Sequence, residues 1–448
     1  MATSAATSGR ITKEELELLR GDFRANPSYR VVQNAVTRVS VEEVAIDREI
    51  VNAADHTASE RLDDWSVTDQ AHSGRCWLFA GLNLLRVGVR EKLAVKDFEF
   101  SQNHVMFWDK LERANYFLES IIATASRELD DRAVAHLLDT VADDGGQWDM
   151  FVAVVRKHGL VPKPFMPETE SSSNTRRMNG VLRSVLRQGA LRLRELALIE
   201  PEHARTAKAG VLKVVHRVLS IHLGTPPECF LWQWRDKDNG FHRAGEMSPS
   251  EFAGTYVELP LEDYVCLVDD PRPSSPMART FTVEFLGNVV EAPPVLYLNA
   301  GLEVMKELAA RLLSDGQPVW FGCDVSKMMS NEYGLWDARL YDLPAVYDTT
   351  FELDKAGRLL AGDSRMTHAM LFTGVDIVEG APRRWRVENS WGAERGADGF
   401  YTMNDSWFGE YVFELAVPRA LLPPELRSVL QTDPIVLPPW DPMGALAR

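Results

Sequence analysis

"QAHSGRCWLF" occupies residues 70–79. Small and polar residues give way at Cys76 to Trp77, Leu78 and Phe79, and the run continues as "WLFAGLNLLRVGV". That run is apolar on nearly every face, and a helix of that kind must lie inside the protein. The Ser-Gly pair before it lets the backbone bend, so Cys76 falls at the first helical position. The thiolate is the reactive form of cysteine, and a free thiol is mostly protonated near neutral pH. The unpaired N–H groups and the dipole of a helix N-terminus lower a thiol pKa. The stretch therefore predicts a reactive cysteine on a rigid, buried helix.

A nucleophile of this kind needs a base, and the base needs an orienting partner. "THAM" offers His368 at the start of an apolar strand, and "ENSWG" offers Asn389 at the end of the next, with Trp391 able to shield their hydrogen bond from water. Acyl transfer also needs donors aimed at the oxyanion of the tetrahedral intermediate. The amide of Gln70 and the backbone N–H of Cys76 could form that pair.

Composition is that of an ordinary globular chain: 448 residues, 45% hydrophobic and 25% charged. The net charge of −16 argues against nucleic acid as the main partner, because phosphate neutralisation needs a positive surface. Only Cys76, Cys229, Cys266 and Cys323 occur, with no C-x-x-C pair, so neither a disulfide framework nor a zinc ribbon is indicated. The last three sit in apolar runs and are expected to be buried and inert. His72 and His104 lack ligand spacing towards Cys76, and no metal is expected. No apolar run approaches the roughly 18 residues of a membrane span, and "MATSAATSGRITKEELELL" has no signal-peptide core. A cytoplasmic location is the expectation.

Thr12 and Glu15 read as a capping box opening the first helix, and residues 20–60 read as an irregular wrapping segment. Helices are predicted over about 104–124 and 147–158, the latter following Gly145 and Gly146 and ending at Gly159. "PKPFMPETESSSNT" reads as a crossing. Residues 177–222 are helical in pattern, with Arg176, Arg177, Arg183, Arg187, Arg192 and Arg194 expected on a solvated or inter-subunit face. "GLEVMKELAARLLSDG" is an amphipathic helix, and strand-like runs follow it. Helices first and strands last indicate an α+β fold.

Gln70, "SGRCWLFA", "THAM" and "VENSWG" resemble the papain-like cysteine peptidases. Within them, "NPSYRVVQNAVT", "DGGQWDMF", "MPETESSSNT", "MTHAMLFTGVD" and "LPPWDPMGALAR" are similar in order to the bleomycin hydrolase and aminopeptidase C family. The resemblance implies Cys76 as nucleophile, His368 as base, Asn389 as orienter and Gln70 as oxyanion donor. Roughly 290 residues separate the cysteine and the histidine, against about 130–150 in ordinary papains, so inserted modules are expected. The implied division is an N-terminal helix and wrapping arm (1–60), a helical half-core (61–170), an inserted helical module (171–260), a β-rich half-core (261–420) and a C-terminal arm (421–448). Gly145 and Gly146 are either a plain turn or an edge on which substrate backbone pairs.

The resemblance further implies a homohexamer with its sites facing an inner channel. Peptides are the implied substrates, with bleomycin and homocysteine thiolactone as further ones, and no organic cofactor or metal takes part. The tail "LPPWDPMGALAR" cannot form a helix, yet Leu437, Trp440, Met443 and Leu446 are apolar. In the family such a tail lies along the cleft, so that Ala447 would present a carboxylate to the substrate's ammonium once Arg448 is removed. Two other classes stay open at this stage: a Cys-His acyltransferase, and a nucleic-acid-binding protein with secondary peptidase activity.

Overall fold

The computed structural model describes residues 9–62 and 65–446. Two compact units emerge, one holding the chain up to Ala54 with Arg339–Leu353, the other holding Asp55–Ala338 and Asp354 onward. In the first, the capping box at Thr12 and Glu15 opens a helix over Lys13–Ala25. The stretch expected to be irregular is instead a chain of short helices: Pro27–Val36, Val41–Ala45 and Arg48–Asn52. Asn26, Ser40 and Asp47 each accept from N–H groups of the turn that follows. Capping replaces burial here, since the first two helices bury no residue.

In the second unit, Cys76 is the first residue of a helix over Cys76–Leu93, buried along most of its length. Ser101 caps Gln102–Ala123, and Trp148–His158 ends at Gly159 with φ of +67°, where a side chain would strike the backbone of Pro249. The Arg-rich stretch forms Arg176–Ile199, followed by Pro201–Leu223. Arg194 departs from expectation. It is buried, and its guanidinium donates to the carbonyls of Thr124 and Arg127 just beyond the helix Gln102–Ala123. Cys229 departs too, being exposed, while Cys266 and Cys323 are buried.

The strands make a mixed sheet whose middle is antiparallel. Val412–Pro418 pairs with Val319–Cys323, which pairs with His368–Val378, then Ala381–Glu388, then Phe400–Asn404. Beyond Val412–Pro418 lie Tyr264–Val268, Tyr297–Asn299 and Thr280–Val283, and Ile435–Leu437 adds itself at that edge. The helix Cys76–Leu93 packs on this sheet. The indole of Trp320 donates to the carbonyl of Trp77 at 3.3 Å, and Trp320 lies on the strand that pairs His368 with Cys323. Helix and sheet thus bring residue 76 to the start of the His368 strand. Among the described residues, no helix is long and apolar enough to cross a membrane.

Candidate active site

The turn before Cys76 is held by buried side chains rather than by its own flexibility. Arg75 is 1% exposed and pairs in bidentate fashion with Glu168, at 3.0 and 2.7 Å. Its Nε donates to Ser73 Oγ at 2.9 Å, and Ser73 Oγ donates to the carbonyl of Gln70 at 2.6 Å. Ala71 is forced to φ of +50°, a cost of order 1 kcal/mol or more that only over-determined surroundings sustain. A second tether runs from Gly74, whose N–H donates to Asp144 at 3.3 Å. Burial works against the Asp144 carboxylate, but Lys110 at 2.6 Å, Thr175 and Asn179 hold it well below the usual range. Neither Glu168 nor Asp144 stands out in the sequence, because each partner lies tens of residues away.

Asp144 leads into Gly145 and Gly146, both buried. A Cβ on Gly146 would sit 2.4 Å from the Trp77 indole, whose Nε1 donates to the Asp144 carbonyl at 2.8 Å. Packing under the nucleophile helix therefore accounts for this glycine.

Cys76 has no solvent exposure, and His368 and Asn389 almost none. The backbone N–H groups of Ala369, Trp77 and Cys76 itself reach the sulfur. Contact with Ala369 fixes the start of the His368 strand against the thiol. Burial pushes the thiol up to about 12, with those N–H groups pulling the other way. This reverses the expectation drawn from the helix terminus alone: loss of solvent outweighs the dipole, and the thiol rests protonated.

His368 Nε2 lies 2.9 Å from Asn389 Oδ1, and the N–H of Ser390 donates to the same oxygen at 2.8 Å. A backbone N–H can only donate, so that atom is the amide oxygen and the imidazole must donate as well. The proton is thereby assigned to Nε2, leaving Nδ1 as the free base. Burial lowers the imidazole pKa to about 4, opposed by the Asn389 hydrogen bond. The Trp391 ring covers this pair at 5.0 Å between centroids. Gln70 joins the same group: its N–H donates to the Ser390 carbonyl at 2.9 Å, and its Oε1 accepts from Ser390 Oγ at 2.6 Å. Its Nε2 donates one hydrogen to the Ser73 carbonyl, and an amide nitrogen carries two. Sequence reasoning missed Ser390, which ties Gln70 to Asn389.

The C-terminal segment is attached to the residue that follows Gly146. Gln147 Nε2 donates to the carbonyl of Ala445 at 2.7 Å. Asp441 pairs with the buried Arg272 at 2.7 and 3.2 Å, and Arg132 stacks over Trp440 at 4.0 Å. Trp440, Pro442 and Leu446 wall a cavity of about 450 Å³ opposite Phe117 and Asp143. Met443 and Met366 line a second, water-sized one. Ala447 and Arg448 lie outside the described residues.

The model of the Peptidase C1-like family matches residues 10–444. The chain is 41% identical to bleomycin hydrolase of Gallus gallus, over 95% of this chain and 96% of that one. It is 38% identical to aminopeptidase C of Lactobacillus delbrueckii subsp. lactis, over 98% and 99%. The crystal structure of PepW from Lactobacillus rhamnosis HN001 superposes with a TM-score of 0.96 at 41% identity, covering 98% of this chain and all of that one. With a thiol at a helix N-terminus and a His–Asn pair on adjacent strands, the chain belongs to the Peptidase C1-like family and is a cysteine aminopeptidase of the bleomycin hydrolase and aminopeptidase C type.

Proposed function

We propose that the chain trims peptides from their N-termini through a thioester acyl-enzyme. The observation that carries this reading is the shared acceptor Asn389 Oδ1, which leaves His368 Nδ1 unprotonated on the strand that touches the Cys76 sulfur. The pair rests neutral. His368 takes the thiol proton as Cys76 attacks the scissile carbonyl, and returns it to the leaving amine. The Cys76 N–H and the second N–H of Gln70 stabilise the oxyanion. Water then hydrolyses the thioester with His368 again as base. Asn389 holds the ring and Trp391 keeps water from it; of the Gly145–Gly146 pair, packing against Trp77 already explains Gly146, and substrate pairing is left to the backbone at Gly145.

The division into wrapping arm, two half-cores, inserted module and C-terminal arm belongs to this reading. So do a cytoplasmic homohexamer with inward-facing sites, and the amide of bleomycin beside small peptides as substrate. The arm takes the side of the cleft along which a longer acyl portion would run, a placement supported by the Gln147–Ala445 contact. Ala447, freed by loss of Arg448, offers its carboxylate to the substrate's ammonium.

Time-resolved mass spectrometry of a peptide digest tests this. Single residues should leave free N-termini in sequence, and N-acetylated copies should survive. Internal cleavage of the acetylated peptides would overturn the reading.

A further inference from the structure

Asp149 lies two residues beyond Gln147, and it lines a separate cavity of about 640 Å³. Neither the catalytic residues nor Leu437–Leu446 contribute to that cavity. Its volume lies in the range of small-ligand sites. The wall is largely apolar, with Val152, Ala153, Val265, Val289 and Leu296. Asp149 Oδ2 accepts the N–H of Leu296 at 2.8 Å, so the carboxylate has capacity for further donors. Loss of solvent raises this carboxyl to about 6, with the Leu296 N–H and the charge of Arg419 pulling it down. A carboxylate in such a place gains from a cation that comes with its own apolar body.

The wall carries three cations, Arg156, Lys157 and Arg419; Arg156 is exposed, and of the three it is the charge of Arg419 that acts on Asp149. Lys157 is held by Glu112 at 2.8 Å and Glu291 at 2.5 Å. Arg419 is exposed and donates through Nη2 to the Glu262 carbonyl at 3.3 Å. A guanidinium carries five N–H donors in a fork that matches a carboxylate. The cavity thus presents an inner carboxylate, an outer guanidinium close enough to act on it, and apolar walls. That pattern complements a small molecule bearing an ammonium, a carboxylate and a hydrocarbon side chain.

We propose that the Asp149–Arg419 cavity is a binding site for a free apolar α-amino acid, distinct from the Cys76 site. The ammonium meets Asp149, the carboxylate meets Arg419, and the side chain lies against Val152, Ala153 and Val289. The ligand class follows from the cavity. Only its significance, as the product of the enzyme's own action, rests on the aminopeptidase reading.

Calorimetric titration of L-leucine into the Cys76→Ala enzyme tests the site without turnover. Binding is expected, weakened at least about tenfold by N-acetylation of the ligand, which removes the ammonium. Isoamylamine, which lacks the carboxylate, should bind wild type no better than leucine binds Arg419→Leu. Asp149→Asn removes the charge at constant size, and Ala153→Phe fills the apolar wall without touching either charge. Each should weaken leucine binding at least about tenfold. Circular dichroism shows whether each variant folds, and either folded one carries the test. Leucine binding that survives in a folded variant, as it would if the amino acid occupied the Cys76 cleft, overturns the proposal. So does the absence of any binding heat with wild type. Failure here would leave the peptide-digest result untouched.

Discussion

The turn before Cys76 and the C-terminal arm both attach to the stretch from Asp144 to Gln147, but they are held in different ways. Arg75–Glu168 holds the turn directly, Lys110–Asp144 holds the carboxylate that accepts the Gly74 N–H, and the helix behind the turn is buried along most of its length. The arm is held at separate points: the Arg272–Asp441 ion pair, the Arg132–Trp440 stack and the Gln147–Ala445 hydrogen bond. Chemistry demands sub-ångström positioning, so its residues sit in the core. Specificity demands only that a space be occupied, so a peripheral segment with a few attachments suffices. The two should therefore break independently.

The largest effect belongs to the turn. Cys76→Ala should abolish turnover of any peptide, because no other group can form the acyl-enzyme. Its thermal midpoint should stay close to wild type, since a small residue replaces a small buried one. Rate assays beside thermal melts check this, and residual activity free of contaminants would remove Cys76 from the mechanism. Next comes Gln70→Ala, for which the loss of one oxyanion donor should lower kcat by about 10²–10³. An unchanged kcat would leave Gln70 as no more than the link between Ser73 and Ser390.

The third effect concerns pH. The folded His368 has a pKa near 4 against an unfolded value of 6.5, so the unfolded chain binds the extra proton first. The stability its neutrality confers is whole above pH 6.5 and lost as pH falls towards 4, by roughly 3 kcal/mol. Cys76 works from the other side, losing stability as pH rises from 9 towards about 12. His368→Gln cannot titrate. Its denaturant midpoint should fall less between pH 6.5 and 4 than that of wild type, and parallel curves would show that the ring is not buried neutral.

The contrast between turn and arm also explains what the sequence could reveal. Cys76 at a helix start was legible because "WLFAGLNLLRVGV" is apolar all round, and His368 and Asn389 because each opens or closes a strand. What fixes them was not legible. Arg75 meets Glu168, Ser390 meets Gln70 and Arg272 meets Asp441 across long loops, and no local pattern records a pairing of that range. The effect of burial on the thiol is not legible for the same reason: the helix terminus that lowers its pKa is a local feature, whereas the burial that raises it is tertiary. The helices within residues 20–60 are not legible either, because short capped helices need no apolar stripe.

The smallest effect on catalysis, and the sharpest test of the comparison, lies in the arm. Asp441→Asn removes one charge from a guanidinium that Asp270 still holds through three contacts, at 2.6, 2.9 and 3.0 Å. Arg272 is not left unpaired, and the asparagine can still accept the N–H of Met443, as Asp441 does at 2.9 Å. The cost falls on the arm alone. Hydrogen bonds to charged groups contribute about 1.5–3 kcal/mol, so the arm should leave its seat at least about tenfold more often. Trimming of free N-termini should change by no more than a few-fold, since the Cys76 turn is untouched. Cleavage of N-acetylated peptides should rise about tenfold from its low base, and a chain truncated after Leu437 should exceed both. If truncation opens the enzyme to blocked peptides and Asp441→Asn does not, the ion pair is incidental and the Gln147–Ala445 bond seats the arm. If neither opens it, the arm does not set the specificity.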